Sequence, residues 1–498
     1  MSNRGSPNPD ALPDGFVRRG EVDIEEGIAH DYSTSDRGIV PLNRRRPLWH
    51  LGGMWLTFQS GFWVLFIGFS LHNAGYSLLA SIGIVGLAAG TYTVYGIFVA
   101  YLGSRTGQTS ALLTRATLGR TGSILVSIFL VIGPIGWVGY QANLLAEIWN
   151  GLFGWAPILV IGMVLAVVMI FNNLFGFTGI SAIARYAITP LMILWVIFLV
   201  VKGVMEGPTF LSATPKDIAP ISFWLAVGTV IGFATWGNEP DLFRYSKPRF
   251  WSASLVYIFG FTVGLVLMSA GGWIVAQVSN NANFGPAIRS ITDFSLFGAF
   301  AFAGILALAG QVAVNDGNYY EAVNAVQNMV GGWRRWRRWY SCALLALAGA
   351  LAAWIVPYVF TSGFMKVGAF QAITLPCAML IVATDHFLLP RLFKISRPLT
   401  TVPSWAETAR VNWPGVVALV VAVVAGGFAS GLIGNPNTYL GYVVLETWVL
   451  ATVLYVVGVW VTLHLNVDVK SMLGFTREAA AADIRPGQVV DLATEAGL

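Results

Sequence analysis

Apolar segments of 20 residues or more alternate with short polar stretches along most of the chain. Each segment is long enough for an α-helix to cross a bilayer. The segments lie at 50–72, 78–102, 121–150, 156–176, 185–205, 219–238, 250–278, 295–330, 341–360, 364–390, 413–434 and 443–466. The pattern predicts twelve membrane-spanning helices.

Polar sequence flanks this region on both sides. Residues 1–46 contain Pro, Gly, Asp and Arg without a period, which predicts a disordered cytoplasmic tail. No apolar core precedes residue 50, so we expect no cleavable signal peptide. Residues 468–498 form a second polar tail, also predicted to be cytoplasmic. The transmembrane domain is predicted at 47–467.

The composition is that of a membrane protein rather than a soluble one. Hydrophobic residues make up 56% of the 498 positions and charged residues 11%, whereas soluble domains carry about 25% charged residues. So few charged residues could not cover the surface of a soluble fold. The same composition also excludes a disordered chain, a collagen and a coiled coil. An all-α polytopic membrane protein remains. Cys342 and Cys377 lie in apolar segments, where we expect them to be packing residues.

The distribution of basic residues predicts the orientation. With the N-terminus inside, eighteen basic residues lie on the cytoplasmic side, and Lys202, Lys216, Arg289 and Lys366 lie outside. The positive-inside rule then places both termini in the cytoplasm of a plasma (inner) membrane protein. The Trp- and Arg-rich run at 333–339 could bind nucleic acid. It favours an anchor at the cytoplasmic membrane surface instead, because aromatic and basic residues prefer the membrane–water interface.

Three predicted spans contain glycine-rich or polar interruptions. They lie at 52–61 in the first span, 236–241 in the sixth and 315–321 in the eighth. Backbone groups need partners inside lipid, so breaks in spanning helices mark protein-lined cavities. Breaks at matching places in two halves of five spans point to a transporter site. The alternative is that the glycines only allow close helix packing.

A pair of side chains in the third span suits a flat polar ring. Trp137 and Gln141 are four residues apart, so they share one helix face. One supplies a π surface and the other a hydrogen-bonding edge. Phe233 and Trp236 of the sixth span are predicted to cover the other side of the ring.

Polar residues also lie at membrane depth in the eighth span. Asn315 and Asn318 offer carboxamides, which suit a neutral heterocycle with donors and acceptors. Asp316 lies about halfway along the span, where an unpaired charge costs several kcal/mol. It is either a proton carrier or tuner of a cation site, or a structural acid. Glu147 and Glu321 lie late in their spans, and we expect both near an interface in structural roles.

The sequence contains no motif that is typical of an enzyme active site. Metal-ligand spacing, a Gly-rich phosphate loop and a nucleophile elbow are all missing from it, and its five His are scattered. We therefore expect no enzyme activity and no bound cofactor. Without a nucleotide-binding domain, ATP-driven transport is not expected either.

These features resemble the nucleobase–cation symporter-1 family, which includes bacterial cytosine permeases, hydantoin transporters and fungal purine–cytosine permeases. The resemblance covers residues 40–470 and rests on short motifs along that length. The motifs are PLW at 47–49, GSRTGQT at 103–109, GW at 136–137, PDLFRY at 240–245, ND at 315–316 and VNW at 411–413.

The resemblance implies a LeuT-like fold, with five plus five inverted helices and two extra spans. The substrate would lie between spans one, three, six and eight. By motif position, Trp137 resembles the aromatic that stacks on the substrate and Gln141 the amide beside it. Trp236 or Phe233 resembles the second stacking aromatic.

The resemblance assigns further residues and partners. Asn315 and Asn318 resemble the amides of the eighth span, and Gln59 and Ser60 fall where the first span unwinds beside the substrate. The implied partners are a small nucleobase-like molecule and the lipid bilayer. The resemblance also implies a monomer that does not bind nucleic acid.

One departure from the family concerns the co-transported cation. In sodium-coupled members, the eighth span supplies hydroxyl ligands before its Asn motif, and first-span carbonyls complete the site. Here those eighth-span positions are Ala313 and Val314, which offer no side-chain oxygen. The carbonyls of Trp55 and Phe58 would remain. This departure favours proton coupling, with Asp316 as the candidate.

The sequence therefore predicts a secondary active symporter that imports a cytosine- or purine-type nucleobase, or a similar planar heterocycle. Transport would be coupled to a cation, with the proton favoured over sodium, by alternating access. The same fold could instead carry allantoin, hydantoins, uracil, thiamine or pyridoxine. A non-coupled channel or a receptor is the alternative from another class.

Overall fold

The computed structural model describes residues 39–40, 45–155, 157–175, 188–212, 221–330, 336–359, 363–395, 397, 408–433 and 442–465. The predicted tails at 1–46 and 468–498 lie outside these residues, apart from positions 39–40 and 45–46. Residues 333–335 of the Trp- and Arg-rich run lie outside them as well.

The described residues are helical almost throughout. The α-helices are α1 Leu48–Phe58, α2 Phe62–Asn73, α3 Leu78–Thr106, α4 Ser110–Phe153, α5 Ile158–Val168, α6 Thr189–Met205, α7 Pro208–Ser212, α8 Phe223–Ala234, α9 Glu239–Phe243, α10 Phe250–Phe259, α11 Met268–Ser279, α12 Phe284–Leu296, α13 Phe300–Met329, α14 Arg338–Val359, α15 Gly363–Phe387, α16 Leu389–Leu392, α17 Trp413–Ala429 and α18 Val443–His464. A 3₁₀ turn, Phe171–Phe175, follows α5, and a π-helix, Gly260–Leu267, joins α10 to α11. Side chains cap several helix starts, as Ser77 and Thr109 do for α3 and α4.

The helices have the length and surface of membrane spans. Within the described residues, seven helical stretches are long and apolar enough to cross a bilayer, or eight if α1 and α2 form one bent span. Three shorter apolar helices accompany them. α18 exposes apolar side chains at four-residue intervals from Leu445 to Val457, as a lipid-facing helix does. The chain is therefore a multi-pass membrane protein, while the twelve spans and the inverted repeat stay predictions.

Two segments are interrupted where the sequence indicates breaks. Residues 59–61 separate α1 from α2, and the two helices are bent by 42°. Residues 235–238 separate α8 from α9, and Gly237 there has a φ of +73°, which glycine adopts at little cost. Pro240 lies in the first turn of α9, where its missing N–H is no loss. The chain therefore turns ahead of this proline.

The predicted interruption of the eighth span is wrong. α13 runs unbroken from Phe300 to Met329. Asn315 and Asp316 find partners on neighbouring elements or on the helix itself, so the backbone there needs no break. Gly317 has a packing role, because a Cβ there would lie 2.8 Å from the ring of Trp236 and 3.3 Å from that of Phe58.

Glycines also bring α2 and α11 into backbone contact. A Cβ on Gly68 would lie 1.7 Å from the carbonyl oxygen of Ser269. A Cβ on Gly272 would lie 1.8 Å from the carbonyl oxygen of Leu65. These glycines therefore allow the close packing that membrane helices use for association.

The residues before α1 pair with those after α9. The Arg46 N–H donates to the Tyr245 carbonyl at 2.6 Å, and the Lys247 N–H donates to the Arg46 carbonyl at 3.3 Å. We call these two bonds the backbone clasp. Beside it, the Arg45 guanidinium donates to the Ser104 carbonyl, and burial lowers the pKa of Arg45 to about 10, so it stays charged at pH 7. Basic segments from three parts of the chain thus meet at one end of the bundle.

Candidate functional site

A small cavity lies where α4, α13 and the break between α8 and α9 meet. Its walls are Trp63, Trp137, Gln141, Phe233, Thr235, Trp236, Asn318 and Gln371. Five of the eight residues that the sequence assigns to substrate binding are among them. Each of the four lining rings is at most 5% exposed, so a ligand can enter only if the helices rearrange.

Trp137 is fixed from two sides. Its indole N–H donates to the side-chain carbonyl of Gln371, and the amide nitrogen of Gln371 donates to the Thr235 carbonyl at 2.8 Å. The ring of Phe233 meets Trp137 edge-on, with centroids 4.7 Å apart. Because Gln371 takes the indole N–H, what Trp137 offers to a ligand is the face of its ring.

Three amides form a hydrogen-bonded chain from α13 to α4. The Asn318 Nδ2 donates to the Asn315 Oδ1 at 3.0 Å. The Asn315 Nδ2 donates to the Gln141 Oε1 at 2.9 Å and to the Gln311 carbonyl at 2.9 Å. This arrangement leaves the Gln141 Nε2 as a donor and the Asn318 Oδ1 as an acceptor at the cavity wall. Asn315 lies behind the wall and connects them.

Both sixth-span aromatics, Phe233 and Trp236, line the cavity, and which of them stacks on the substrate stays open. Trp236 packs on Phe58 of α1, with centroids 5.0 Å apart and planes inclined by 30°. Its backbone N–H donates to the Tyr92 hydroxyl at 3.1 Å. The cavity wall is thereby connected to α1 and to α3.

Gln59 and Ser60 lie in the break between α1 and α2, but not on the cavity wall. The Ser60 hydroxyl donates to the Leu56 carbonyl at 2.6 Å. Gln59 packs against Gly264 of the π-helix, and neither of its amide atoms has a partner among the described residues. The first span reaches the cavity through Trp63 instead.

The first-span carbonyls predicted to coordinate a cation already accept hydrogen bonds. The Trp55 carbonyl accepts a backbone N–H from the break at 3.2 Å, and the Phe58 carbonyl accepts the Trp63 indole N–H at 3.1 Å. Opposite the break, Val314 of α13 lies 3.0 Å from where a Cβ on Gly61 would be. An apolar side chain therefore occupies the side of α13 that faces the break.

Asp316 lies on a different face of α13 from Asn315 and Asn318. Its Oδ2 accepts from the Asn172 Nδ2 at 2.9 Å, and its backbone carbonyl accepts from the Asn173 Nδ2 at 3.1 Å. Its Oδ1 has no partner among the described residues, and the side chain is buried. Asp316 is therefore bound to the 3₁₀ turn after α5, and its role in coupling stays a prediction.

Comparison with known proteins identifies the relatives of the chain. No protein-family model matches the sequence. Two cytosine permeases of Escherichia coli, from strains O157:H7 and K12, are each 24% identical over 421 residues, which cover 81% of this chain and 91% of theirs. The chain is thus similar to cytosine permeases over most of its length.

Solved structures show the same fold. Mhp1, a nucleobase-cation-symport-1 family transporter in a closed conformation with bromovinylhydantoin bound, has a TM-score of 0.69 at 16% identity, covering 86% of this chain and 95% of its own. A Na⁺-coupled sialic acid symporter has a TM-score of 0.60 at 10% identity, with 89% and 95% covered. The resemblance found from the motifs is confirmed. These relatives are transporters, not enzymes.

Sequence reasoning missed three residues of the cavity wall: Trp63, Thr235 and Gln371. Gln371 matters most, because it bonds both Trp137 and Thr235. The sequence does contain a signal for Gln371. It is the single amide side chain in the apolar segment 364–390, where a polar side chain needs a partner.

Proposed function

We propose that the protein is a secondary active symporter that imports a nucleobase of the cytosine or purine type, or a similar planar heterocycle, together with a cation. The observation that carries this proposal is the buried cavity wall, which combines the ring face of Trp137 with a donor on Gln141 and an acceptor on Asn318. A nucleobase presents the matching features, namely a flat ring and an edge with donors and acceptors. The homology to cytosine permeases supports the same substrate class.

Alternating access is the mechanism that suits this architecture. The rings that line the cavity are buried, so substrate exchange requires two states that open to opposite faces of the membrane. The breaks at 59–61 and 235–238 lie beside the cavity, while α13 is continuous. We assign the moving parts to the broken segments and the fixed side to α13.

The proton is the favoured co-transported ion. Val314 offers no side-chain oxygen opposite the first-span break, so a sodium ion there would have no oxygen ligand from that side chain. Asp316 is the coupling residue that the sequence suggests. The protein would work in the plasma (inner) membrane as a monomer with both termini cytoplasmic, and the basic segments gathered beside the backbone clasp support that orientation.

A hydantoin-type ring is the second candidate substrate. Its support is the fold shared with Mhp1, whose structure contains bromovinylhydantoin. Allantoin, uracil, thiamine and pyridoxine are further ring systems for the same cavity.

A thermal-shift panel separates these substrates. We expect cytosine or a purine to raise the unfolding temperature equally with and without sodium, because the ligand binds only the folded state. At a hundredfold excess over Kd the stabilisation would be about 2.7 kcal/mol. A shift that requires sodium would contradict proton coupling. A response to hydantoins or vitamins, with none to any base, would replace the nucleobase as substrate.

The variant Gln141→Leu should weaken cytosine binding by one to two orders of magnitude. It removes the donor at the cavity wall and the acceptor for Asn315, and an unmade buried hydrogen bond costs about 1–3 kcal/mol. Isothermal titration calorimetry measures the change. Gln277→Leu is the matched control, because Gln277 bonds His72 rather than any wall residue and should leave the affinity unchanged. Equal affinities of Gln141→Leu and wild type would remove Gln141 from the site.

A further inference from the structure

Three acidic side chains converge beside the cavity, where α9 packs near α13. They are Glu239 and Asp241 of α9 and Glu321 of α13, and each is at most 2% exposed. Glu321 interacts electrostatically with both of the others. Glu321 is buried in the bundle, and the expectation that it lies near a membrane interface in a structural role stays a prediction. The proposed function uses none of the three.

Two of these acids have hydrogen-bond donors. Asp241 accepts from the Ser110 N–H at 2.8 Å and from the Asn324 Nδ2 at 2.6 Å. Glu239 accepts the hydroxyl proton of Tyr92. Both therefore accept hydrogen bonds from neighbouring elements, and such bonds favour the charged form of a carboxyl group.

Glu321 differs from them. Neither of its carboxylate oxygens has a hydrogen-bond partner among the described residues, and neither is accessible to solvent. The groups that face it are Glu239 and Asp241 on α9 and Tyr95 on α3, while the charge of Arg244 acts on Asp241. A carboxylate without donors and next to two other acids is unfavourable in a membrane span. Glu321 is thus the member of the cluster that suits a bound proton.

The cluster is connected to the cavity in two ways. Glu321 follows the wall residue Asn318 by three positions, so both lie on one face of α13. The second connection runs through Tyr92, whose hydroxyl accepts the Trp236 N–H and donates to Glu239. A change of charge at Glu321 therefore occurs one helical turn from the substrate and next to the break that we expect to move.

A proton fits this cluster better than a metal ion. In the part of the chain that the structure describes, no three His, Cys, Asp or Glu side chains are arranged to hold a metal. Asp316, the other acid of α13, accepts a hydrogen bond from Asn172 on a different face of the helix.

We propose that Glu321 is the proton-carrying residue of the transport cycle. This inference rests on the proposed symport and names the residue that couples it. A hydronium ion from the outer water gives its proton to a Glu321 oxygen, which forms an O–H bond and leaves water. The same O–H bond breaks when the site opens to the cytoplasm, and water accepts the proton. The neutral acid removes the repulsion from Glu239 and Asp241 while the substrate is occluded.

The test is uptake of radiolabelled cytosine by Glu321→Gln in proteoliposomes. A gradient of one pH unit sustains about tenfold accumulation in the wild type if one proton accompanies each substrate. The amide imitates the protonated acid and cannot release a proton, so we expect no accumulation above equilibrium. Exchange of internal for external cytosine, and the thermal shift with cytosine, should stay within about twofold of wild type, because they need only the loaded form.

Two further variants sharpen the result. Glu446→Gln makes the same chemical change at an exposed position in the first turn of α18, and we expect it to accumulate cytosine as wild type does. Glu321→Asp keeps a titratable acid and should restore part of the accumulation. Accumulation by Glu321→Gln under a pH gradient, or its loss of cytosine exchange and binding together, would overturn the assignment.

Failure of this inference is distinguishable from failure of the proposed function. If wild-type protein binds no base in the thermal-shift panel, the proposed function fails before Glu321 is tested. If wild-type protein accumulates cytosine with sodium and ignores the pH gradient, the symport stands and the proton role of Glu321 is overturned.

Discussion

Replacing Trp137 with alanine should weaken cytosine binding by one to two orders of magnitude and reduce uptake to background at low substrate concentration. Stacking of a base on an aromatic ring contributes about 1–3 kcal/mol, and alanine removes that surface. The change also frees Gln371, which Trp137 holds by its indole N–H. Calorimetry gives the affinity, and uptake of labelled cytosine at concentrations below Kd gives the transport effect.

Two controls make the result specific. Trp137→Phe keeps a ring face without the indole N–H, so it should retain more affinity than the alanine variant. Trp251→Ala removes a tryptophan that is 76% exposed on α10, and we expect it to bind cytosine as wild type does. Wild-type affinity in Trp137→Ala would place the substrate elsewhere.

The substitution Gly68→Ala should have the largest effect on folding. The added Cβ would lie 1.7 Å from the Ser269 carbonyl oxygen and 2.8 Å from the Trp273 backbone nitrogen. Both contacts are with backbone, which cannot rotate away, so α2 and α11 have to separate. Overpacking of this kind costs about 1–3 kcal/mol or more. We expect a much reduced yield of monodisperse protein and a lower unfolding temperature, measured by size-exclusion chromatography and a melting curve.

Gly86→Ala is the matched control for this variant. Gly86 also lies within a helix, α3, but a Cβ there meets nothing within 4 Å. Alanine has the higher helix propensity, by about 1 kcal/mol, so this variant should be as stable as wild type or slightly more so. If Gly68→Ala matched it in yield and in melting, the backbone contact between α2 and α11 would be wrong.

The breaks in the fold were only partly predictable from sequence. The break at 59–61 was indicated because glycines and polar residues interrupt an apolar run. The same kind of signal at 315–321 was misleading, because Asn315 and Asp316 find side-chain partners on α4 and the 3₁₀ turn. A polar cluster in a span shows that partners exist. It does not show whether the backbone or the side chains supply them.

The cavity was predictable as far as its residues share local patterns. Trp137 and Gln141 share a helix face, and Phe233 and Trp236 are three residues apart at the break between α8 and α9, so spacing along the chain indicated both pairs. Gln371 has no such pattern, and its partner Trp137 is 234 positions away in sequence. Only the packed helices place the two side chains together.

The backbone clasp between residue 46 and residues 245–247 consists of hydrogen bonds between main-chain atoms alone. Replacing side chains one at a time, as an alanine scan does, leaves both of its bonds in place. Proline acts differently, because it removes the N–H that donates. The clasp is therefore invisible to side-chain mutagenesis, and it can persist in distant relatives after every recognisable residue around it has changed.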